Sequence, residues 1–170
     1  MRSLLALALI GTAVMACSQS APFTLTLRAN KSTEVADSQV FVSAKMTNIS
    51  DHDVDCTEAE IDGTLVSYEY DVRDENGKPI DLRDKSLPYS SPGHTGKHWD
   101  KCNLEPGKSR EIALIVSFRY DLSKPGKYSI QVARRSSTDS EGFRAGELVR
   151  SNTVVVTVLP KAEVPPPAEQ

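Results

Sequence analysis

The sequence lacks the patterns of helical, membrane-spanning and nucleic-acid-binding proteins. After residue 22 no window shows a convincing apolar stripe at i, i+3, i+4 and i+7, so we expect little helix. The longest apolar run, residues 4–10, is far shorter than the roughly 18 residues that a membrane-spanning helix needs. The sequence has 20 basic and 23 acidic residues and a net charge of -3, so electrostatics give no reason to expect nucleic acid as a partner.

The sequence also lacks the short motifs that mark common active sites. It contains no Gly-x-Ser-x-Gly elbow, no Walker phosphate loop, no dinucleotide fingerprint and no His-Glu-x-x-His helix. A length of 170 residues with 39% hydrophobic residues suits one globular domain plus tails. We therefore expect one non-catalytic domain without a cofactor.

Residues 1–16 have the composition of a secretory signal peptide. Arg2 is their only charged residue, and the apolar residues 4–10 follow it. Val14 and Ala16 occupy the two positions that signal peptidase reads before a cleavage site. We therefore expect the chain to be exported.

Cys17 has two open interpretations. The sequence Val14-Met15-Ala16-Cys17 resembles a bacterial lipobox, in which the cysteine is acylated and becomes the first residue of the mature protein. The resemblance implies an anchor of two or three acyl chains, and Ser18 implies sorting to the outer membrane. In the alternative, ordinary cleavage leaves Cys17 as a free or intermolecularly paired thiol.

Three cysteines are an odd number for an exported protein. The simplest assignment gives Cys17 a separate fate and pairs Cys56 with Cys102. In a chain-entropy model such a bridge contributes about 3 to 4 kcal/mol to stability.

Residues 22–159 show the period-two apolar pattern of strands with one buried face. The alternating apolar positions lie within 23–27, 40–46, 66–72, 112–118, 128–132 and 154–158. Turn sequences such as Asn76-Gly77 and two Pro-Gly pairs separate these runs. The pattern predicts an all-β domain, an antiparallel β-sandwich of about seven to nine strands.

Four segments fall outside this strand pattern. Residues 81–103 and 134–146 are predicted to be long exposed loops, and Arg134 with Arg135 is either an anion-binding pair or a solvated face. Residues 17–21 are expected to link the lipid anchor to the domain. Residues 160–170 hold four of the ten prolines and are predicted to be a disordered tail.

Residues 120–130 resemble the tyrosine corner of immunoglobulin-like sandwiches. Tyr128 follows a Pro-Gly turn, and Ile130 stands where antibody domains have their second core cysteine. The resemblance implies an immunoglobulin-like topology. The bridge between Cys56 and Cys102 would then lie outside the inter-sheet position that antibodies use.

The order of four segments resembles immunoglobulin-like domains of the bacterial intracellular proteinase inhibitor type. The segments are residues 45–51, 70–79, 104–109 and 120–128. The layout is also similar to the non-catalytic sandwich of deuterolysin-like metallopeptidases. The resemblance covers roughly residues 22–159 and implies a fold, with proteinase inhibition as an alternative activity. Export and the cysteine pair are departures from an intracellular inhibitor.

All three histidines lie in predicted loops. His52 and His98 are each four residues before a cysteine of the predicted bridge, so the bridge is expected to bring both histidine segments to one end of the domain. With His94 and an aspartate they could bind zinc or copper(II). In the alternative they are ordinary exposed loop residues. The candidate carboxylate ligands are Asp51, Asp53 and Asp100.

Trp99, the only tryptophan, stands between His98 and Asp100 in the first predicted loop. It is either an exposed aromatic anchor for a partner or a cover for the disulfide or the sandwich rim. We expect the contact surface to include His98, Trp99 and Asp100 together with residues 52–55.

We interpret the chain as an exported lipoprotein of the cell envelope, anchored in the outer membrane and facing the periplasm or the cell surface. It is expected to act as a non-catalytic interaction or structural module. The expected partners are an envelope or extracellular protein and, through the lipid, a membrane; nucleic acid is not expected. The alternatives are proteinase inhibition and metal binding by His52, His94 and His98.

Overall fold

The computed structural model describes residues 21–61, 64–83, 97–138 and 144–161. The predictions for the signal peptide, Cys17, His94 and residues 162–170 lie outside this part of the chain. The described residues form one 3₁₀ helix, η1 (Val116–Phe118), and no helix among them is long and apolar enough to span a bilayer. They also form thirteen strands: β1 (Phe23–Ala29), β2 (Thr33–Val35), β3 (Phe41–Asn48), β4 (Val54–Asp55), β5 (Glu58–Ile61), β6 (Thr64–Leu65), β7 (Glu69–Arg73), β8 (Lys97–Asp100), β9 (Asn103–Leu104), β10 (Ser109–Ile115), β11 (Gly126–Thr138), β12 (Arg144–Arg150) and β13 (Val154–Leu159).

Eight of these strands form two main sheets, in agreement with the predicted sandwich. The three-stranded sheet has the order β1-β3-β10, and the five-stranded sheet has the order β12-β11-β13-β2, with β7 also paired to β11. Within the described residues every pairing of these sheets is antiparallel except that of β2 with β13. The predicted antiparallel sandwich is confirmed, with this one parallel pairing at the edge strand β2. After β1 the chain crosses to the other sheet, where Ala36 N–H donates to Leu159 C=O over 2.8 Å.

The hydrophobic core fills the space between the two sheets. Alternate side chains along each long strand point inward, as in β1, whose buried and exposed residues alternate. The three-stranded sheet contributes Phe23, Leu25, Leu27, Val42, Ala44, Met46 and Leu114, and the five-stranded sheet contributes Val72, Tyr128, Ile130, Val132, Val156 and Val158. The period-two pattern therefore identified the inward face correctly.

The side chain of Asn152 also joins the two sheets. Its Oδ1 accepts a hydrogen bond from Leu27 N–H over 2.8 Å, and its Nδ2 donates to Leu27 C=O over 3.0 Å. This pair of bonds satisfies both backbone groups of a residue in β1.

The tyrosine corner is present as predicted. The Tyr128 hydroxyl donates to the Lys124 carbonyl over 2.6 Å, which is the backbone contact that defines this feature. Ile130 is fully buried two residues later. The described chain is thus an all-β, immunoglobulin-like sandwich.

Both predicted long loops contain strands that the sequence analysis missed. β11 continues to Thr138 and β12 begins at Arg144, so most of the predicted loop 134–146 is a hairpin. Within the predicted loop 81–103, residues 97–100 form β8 and residues 103–104 form β9. These strands are short or polar, so they carry a weak period-two signal.

Five short strands form two small sheets beside the sandwich. β4 pairs with β9, and β6, β5 and β8 form a three-stranded sheet in that order. We call the sheet of β5, β6 and β8 the arm. The arm contains His98, Trp99 and Asp100 of the predicted contact surface, whereas residues 52–55 of that surface lie outside it, at β4 and the loop before it.

Candidate functional site

A disulfide links the two chain segments at the base of the arm. Cys56 and Cys102 are bonded, with their Cα atoms 4.9 Å apart. Cys56 N–H donates to Cys102 C=O over 2.9 Å, and Cys102 N–H donates to the Thr57 hydroxyl oxygen over 3.3 Å. The predicted pairing is confirmed, and it joins the β4–β5 segment to the β8–β9 segment.

A buried ion pair holds the arm to the five-stranded sheet. Arg134 on β11 and Glu58 on β5 are each 4% exposed, and Arg134 NH1 lies 2.9 Å from Glu58 Oε1. Arg134 NH2 also donates to Thr57 C=O over 2.8 Å. A buried charge is tolerated when it is paired and hydrogen-bonded in this way. Arg134 therefore links β11 to the residue that follows the disulfide.

Tyr68 completes this buried polar group. Its hydroxyl donates to Glu58 Oε1 over 3.2 Å, and the Arg134 guanidinium carbon lies 5.5 Å from the centre of its ring. Burial raises the pKa of the Glu58 carboxyl, an effect that Arg134 opposes, and burial also raises the pKa of Tyr68. The group is a structural connection between the arm and the sheet.

This role of Arg134 was not predicted from the sequence. Because the residue lies beside a second arginine in a polar segment, it was expected to be part of either an anion-binding pair or a solvated face. The usable signal was the alternation of Tyr128, Ile130, Val132 and Arg134, all of which are buried. An arginine at an inward position of a strand implies a buried acidic partner, but the sequence alone does not say which one.

Trp99 lies on the exposed outer strand of the arm. It stands opposite Ala59 in the register of β5 and β8, and it is 42% exposed whereas Ala59 is buried. Asp100, the next residue, forms an ion pair with Arg110 of β10. Trp99 therefore leaves a large part of its surface open to a partner, while its strand is held by the pairing with β5 and by the ion pair of Asp100.

The predicted surface residues lie on a strand instead of a loop. His98 and Asp100 stand opposite Glu60 and Glu58 in the register. A strand fixes the alternation of its side chains, so Asp100 and Trp99 lie on opposite faces of β8. The two residues are neighbours in the fold, but they do not share one face.

The two described histidines are separated by the bridge. His52 precedes β4, whereas His98 pairs with β5, which follows Cys56. Because both ladders are antiparallel, the segments before Cys56 and before Cys102 run away from each other. The expectation that the bridge brings both histidine segments to one end is therefore wrong. His94 lies outside the described residues, and within them no group of three His, Cys, Asp or Glu residues could hold a metal ion.

His52 belongs to a loop organised by Asn48. The fully buried Asn48 donates through its amide nitrogen to His52 C=O over 2.8 Å and to Leu104 C=O over 2.7 Å. Its Oδ1 accepts from the N–H and the hydroxyl of Ser50, each over 2.8 Å. The exposed His52 ring contacts Asp51 through Nδ1 over 3.0 Å. The Asn-x-Ser sequence thus stabilises this loop.

No protein-family model matches this chain, and no curated protein matches it. Among solved structures it is similar to the CARDB domain of a Pyrococcus furiosus protein, with 13% identity and a TM-score of 0.41 over 81% of this chain and 94% of that one. A crystal structure of that domain in complex with di-metal ions gives 12% identity and a TM-score of 0.41 over 82% and 94%.

The chain is also similar to part of a β-glucosidase from Listeria innocua. The identity is 14%, the TM-score is 0.41, and the match covers 84% of this chain and 16% of the enzyme. Similarities at these levels carry no information about activity or ligands. The strand pairings, the shared core and the tyrosine corner described above establish the fold: the chain is an all-β, immunoglobulin-like sandwich.

Proposed function

We propose that the chain is an exported lipoprotein of the cell envelope that acts as a non-catalytic protein-interaction module through its arm. The single observation that carries this proposal is the half-exposed Trp99 on the outer strand of the arm. Tryptophan is enriched at the energetic centres of protein interfaces, because it buries a large area at a low entropic cost.

The construction of the arm supports the proposal. The disulfide and the buried pair of Arg134 with Glu58 hold a small sheet that has few buried apolar side chains of its own. Because the arm is held rigidly, it loses less conformational entropy when a partner binds. The bridge also agrees with an oxidising compartment outside the cytoplasm.

The membrane anchor is the second part of the proposal. The lipobox-like residues before Cys17 support acylation, with Ser18 directing the protein to the outer membrane. Mass spectrometry of the intact mature protein tests this part. Acyl chains on Cys17 are the expected result. A mature protein that retains Cys17 with an unmodified thiol would overturn this part.

Photo-crosslinking in intact cells tests the interaction. A photoreactive amino acid replaces Trp99 in one variant and Val155 in a control variant. Val155 is a suitable control because it is a 55% exposed apolar residue of the five-stranded sheet. We expect position 99 to crosslink one envelope protein that position 155 does not reach. Equal crosslinking at both positions would contradict the placement.

A protease panel separates this proposal from the inhibitor alternative. The purified mature protein is expected to leave a set of serine, cysteine and metallo-proteases active at micromolar concentration. Inhibition that is lost on a substitution in the arm would replace the proposed function with proteinase inhibition.

A further inference from the structure

The outer edge of β8 offers an unpaired strand edge next to Trp99. Within the described residues β5 is the only strand that pairs with β8. An open strand edge presents free N–H and C=O groups and is a template for pairing with another chain. The arm therefore presents backbone groups to a partner in addition to the indole ring.

Backbone hydrogen bonds show which groups of β8 face this edge. Ala59, opposite Trp99, directs its own backbone away from β8: Val66 N–H donates to Ala59 C=O over 2.8 Å, and Ala59 N–H donates to the Ser67 hydroxyl oxygen over 2.8 Å. Consecutive residues of a strand point their backbone groups to opposite sides. The pair of Ala59 with Trp99 is therefore a non-hydrogen-bonded pair, and the N–H and C=O of Trp99 point toward the open edge.

The residues that flank Trp99 give this edge a charge pattern. Positions 97 and 101 are each two residues from Trp99 along the chain, and both are lysines. Lys101 is exposed, and the intervening Asp100 is already paired with Arg110. Every second position along this segment thus reads Lys-Trp-Lys.

We propose that β8 binds an extended segment of a partner protein as an added antiparallel strand, and that this segment carries an acidic residue on each side of a central apolar residue. The inference rests on the proposed function and specifies the chemistry of its partner. The central residue pairs with Trp99 through two backbone hydrogen bonds, and its side chain packs on the indole. The flanking carboxylates lie opposite Lys97 and Lys101. Added strands of this kind obtain affinity from backbone bonds and specificity from alternate side chains.

The charge pattern disfavours a second copy of this chain as the occupant. A two-fold axis through the paired edges would place Trp99 of one copy opposite Trp99 of the other. Lys97 would then stand opposite Lys101 of the second copy. Like charges directly opposite each other destabilise a strand pair.

Three synthetic peptides test the proposal on the purified, disulfide-bonded mature protein. The first has the sequence Thr-Glu-Thr-Val-Thr-Glu-Thr, the second replaces both glutamates with lysine, and the third carries an N-methyl group on the valine. Fluorescence of Trp99, the only tryptophan, reports binding at the site itself. We expect the glutamate peptide to bind, and the lysine and N-methyl peptides to bind at least about tenfold more weakly, a loss of roughly 1.4 kcal/mol.

Charge reversal provides the matched control. The Lys97→Glu/Lys101→Glu variant is expected to prefer the lysine peptide, and amide hydrogen exchange at Trp99 is expected to slow only when the preferred peptide is bound. Equal binding of the glutamate and lysine peptides would overturn the proposal. A Trp99 amide that is already protected in the free protein, as it would be in a dimer paired through β8, would also overturn it.

The two proposals fail in different ways. If position 99 crosslinks its envelope protein while the peptides are not distinguished, the interaction module stands and the added strand is wrong. If the peptides are distinguished while positions 99 and 155 crosslink equally, the edge binds strands but the proposed function is wrong.

Discussion

The two main sheets and the arm hold their shape by different means. The sheets enclose a continuous apolar core in which residues such as Ile130 and Val156 are fully buried. The arm has strands of two to four residues. A disulfide links the two chain segments at its base, and a buried ion pair fixes it to the five-stranded sheet. Strands as short as these bury too little apolar surface for the arm to be stable alone. The difference shows that covalent and ionic links replace hydrophobic burial where the strands are short.

This comparison predicts that the arm depends on a few specific contacts. Removal of one contact should therefore have a large effect in the arm. The long ladders of the main sheets should tolerate the loss of a single hydrogen bond. Four variants test this contrast, beginning with the largest expected effect.

Arg134→Met should reduce the free energy of unfolding by about 3 to 5 kcal/mol, because it leaves the Glu58 carboxylate buried without its partner. Urea denaturation followed by circular dichroism measures the loss. The double variant Arg134→Met/Glu58→Gln is the control and should recover most of the stability. A single variant as stable as the wild type would show that the ion pair does not hold the arm.

Cys56→Ala/Cys102→Ala should reduce the free energy of unfolding by about 4 kcal/mol in the chain-entropy model, since the two cysteines are 46 positions apart. Trp99 fluorescence reports the arm and far-ultraviolet circular dichroism reports the sheets. We expect the fluorescence transition to occur at a lower urea concentration than the circular dichroism transition. Coincident transitions would mean that arm and sheets unfold as one unit.

Tyr128→Phe should reduce the free energy of unfolding by about 1 kcal/mol, because it removes one hydrogen bond to the Lys124 carbonyl and keeps the buried ring. Thermal unfolding measures the change. We expect the fluorescence and circular dichroism transitions of this variant to coincide. A loss as large as that of the disulfide variant would remove the contrast between the two regions.

Trp99→Ala should change the free energy of unfolding by no more than about 0.5 kcal/mol, since a half-exposed side chain outside the core contributes little to folding. Chemical denaturation followed by circular dichroism measures it, with Val155→Ala as the control. A large destabilisation would show that Trp99 covers the disulfide, the other interpretation that the sequence allowed.

The sequence predicted the sandwich well because its evidence is local and repeated. Strict alternation in β1 specifies a half-buried strand, and the Pro-Gly turn before Tyr128 specifies a tyrosine corner. Each of these signals is contained in a few neighbouring residues. The cysteine pair was also predictable, since only one pairing remained once Cys17 had a separate fate. These features need no information about distant partners.

The candidate site was predicted only in part. The sequence pointed to Trp99 and Asp100 as contact residues, and the structure places both on one short strand. The loop assignment failed because β8 has only four residues and its pairing partner β5 lies about forty residues earlier. The histidine geometry failed for a related reason, because spacing along the chain does not give the direction in which paired strands run.

The sequence by itself determined the strand periodicity, the turns, the signal-like start and the pairing of Cys56 with Cys102, because each depends on neighbouring residues or on simple counting. Only the tertiary structure decided that Arg134 is buried against Glu58 and that, among the described residues, no strand pairs with the edge of β8 toward which the backbone of Trp99 points. Those two features depend on which distant strands pair and in what register. Register is set by the packing of the whole domain, and no single segment of the sequence contains it.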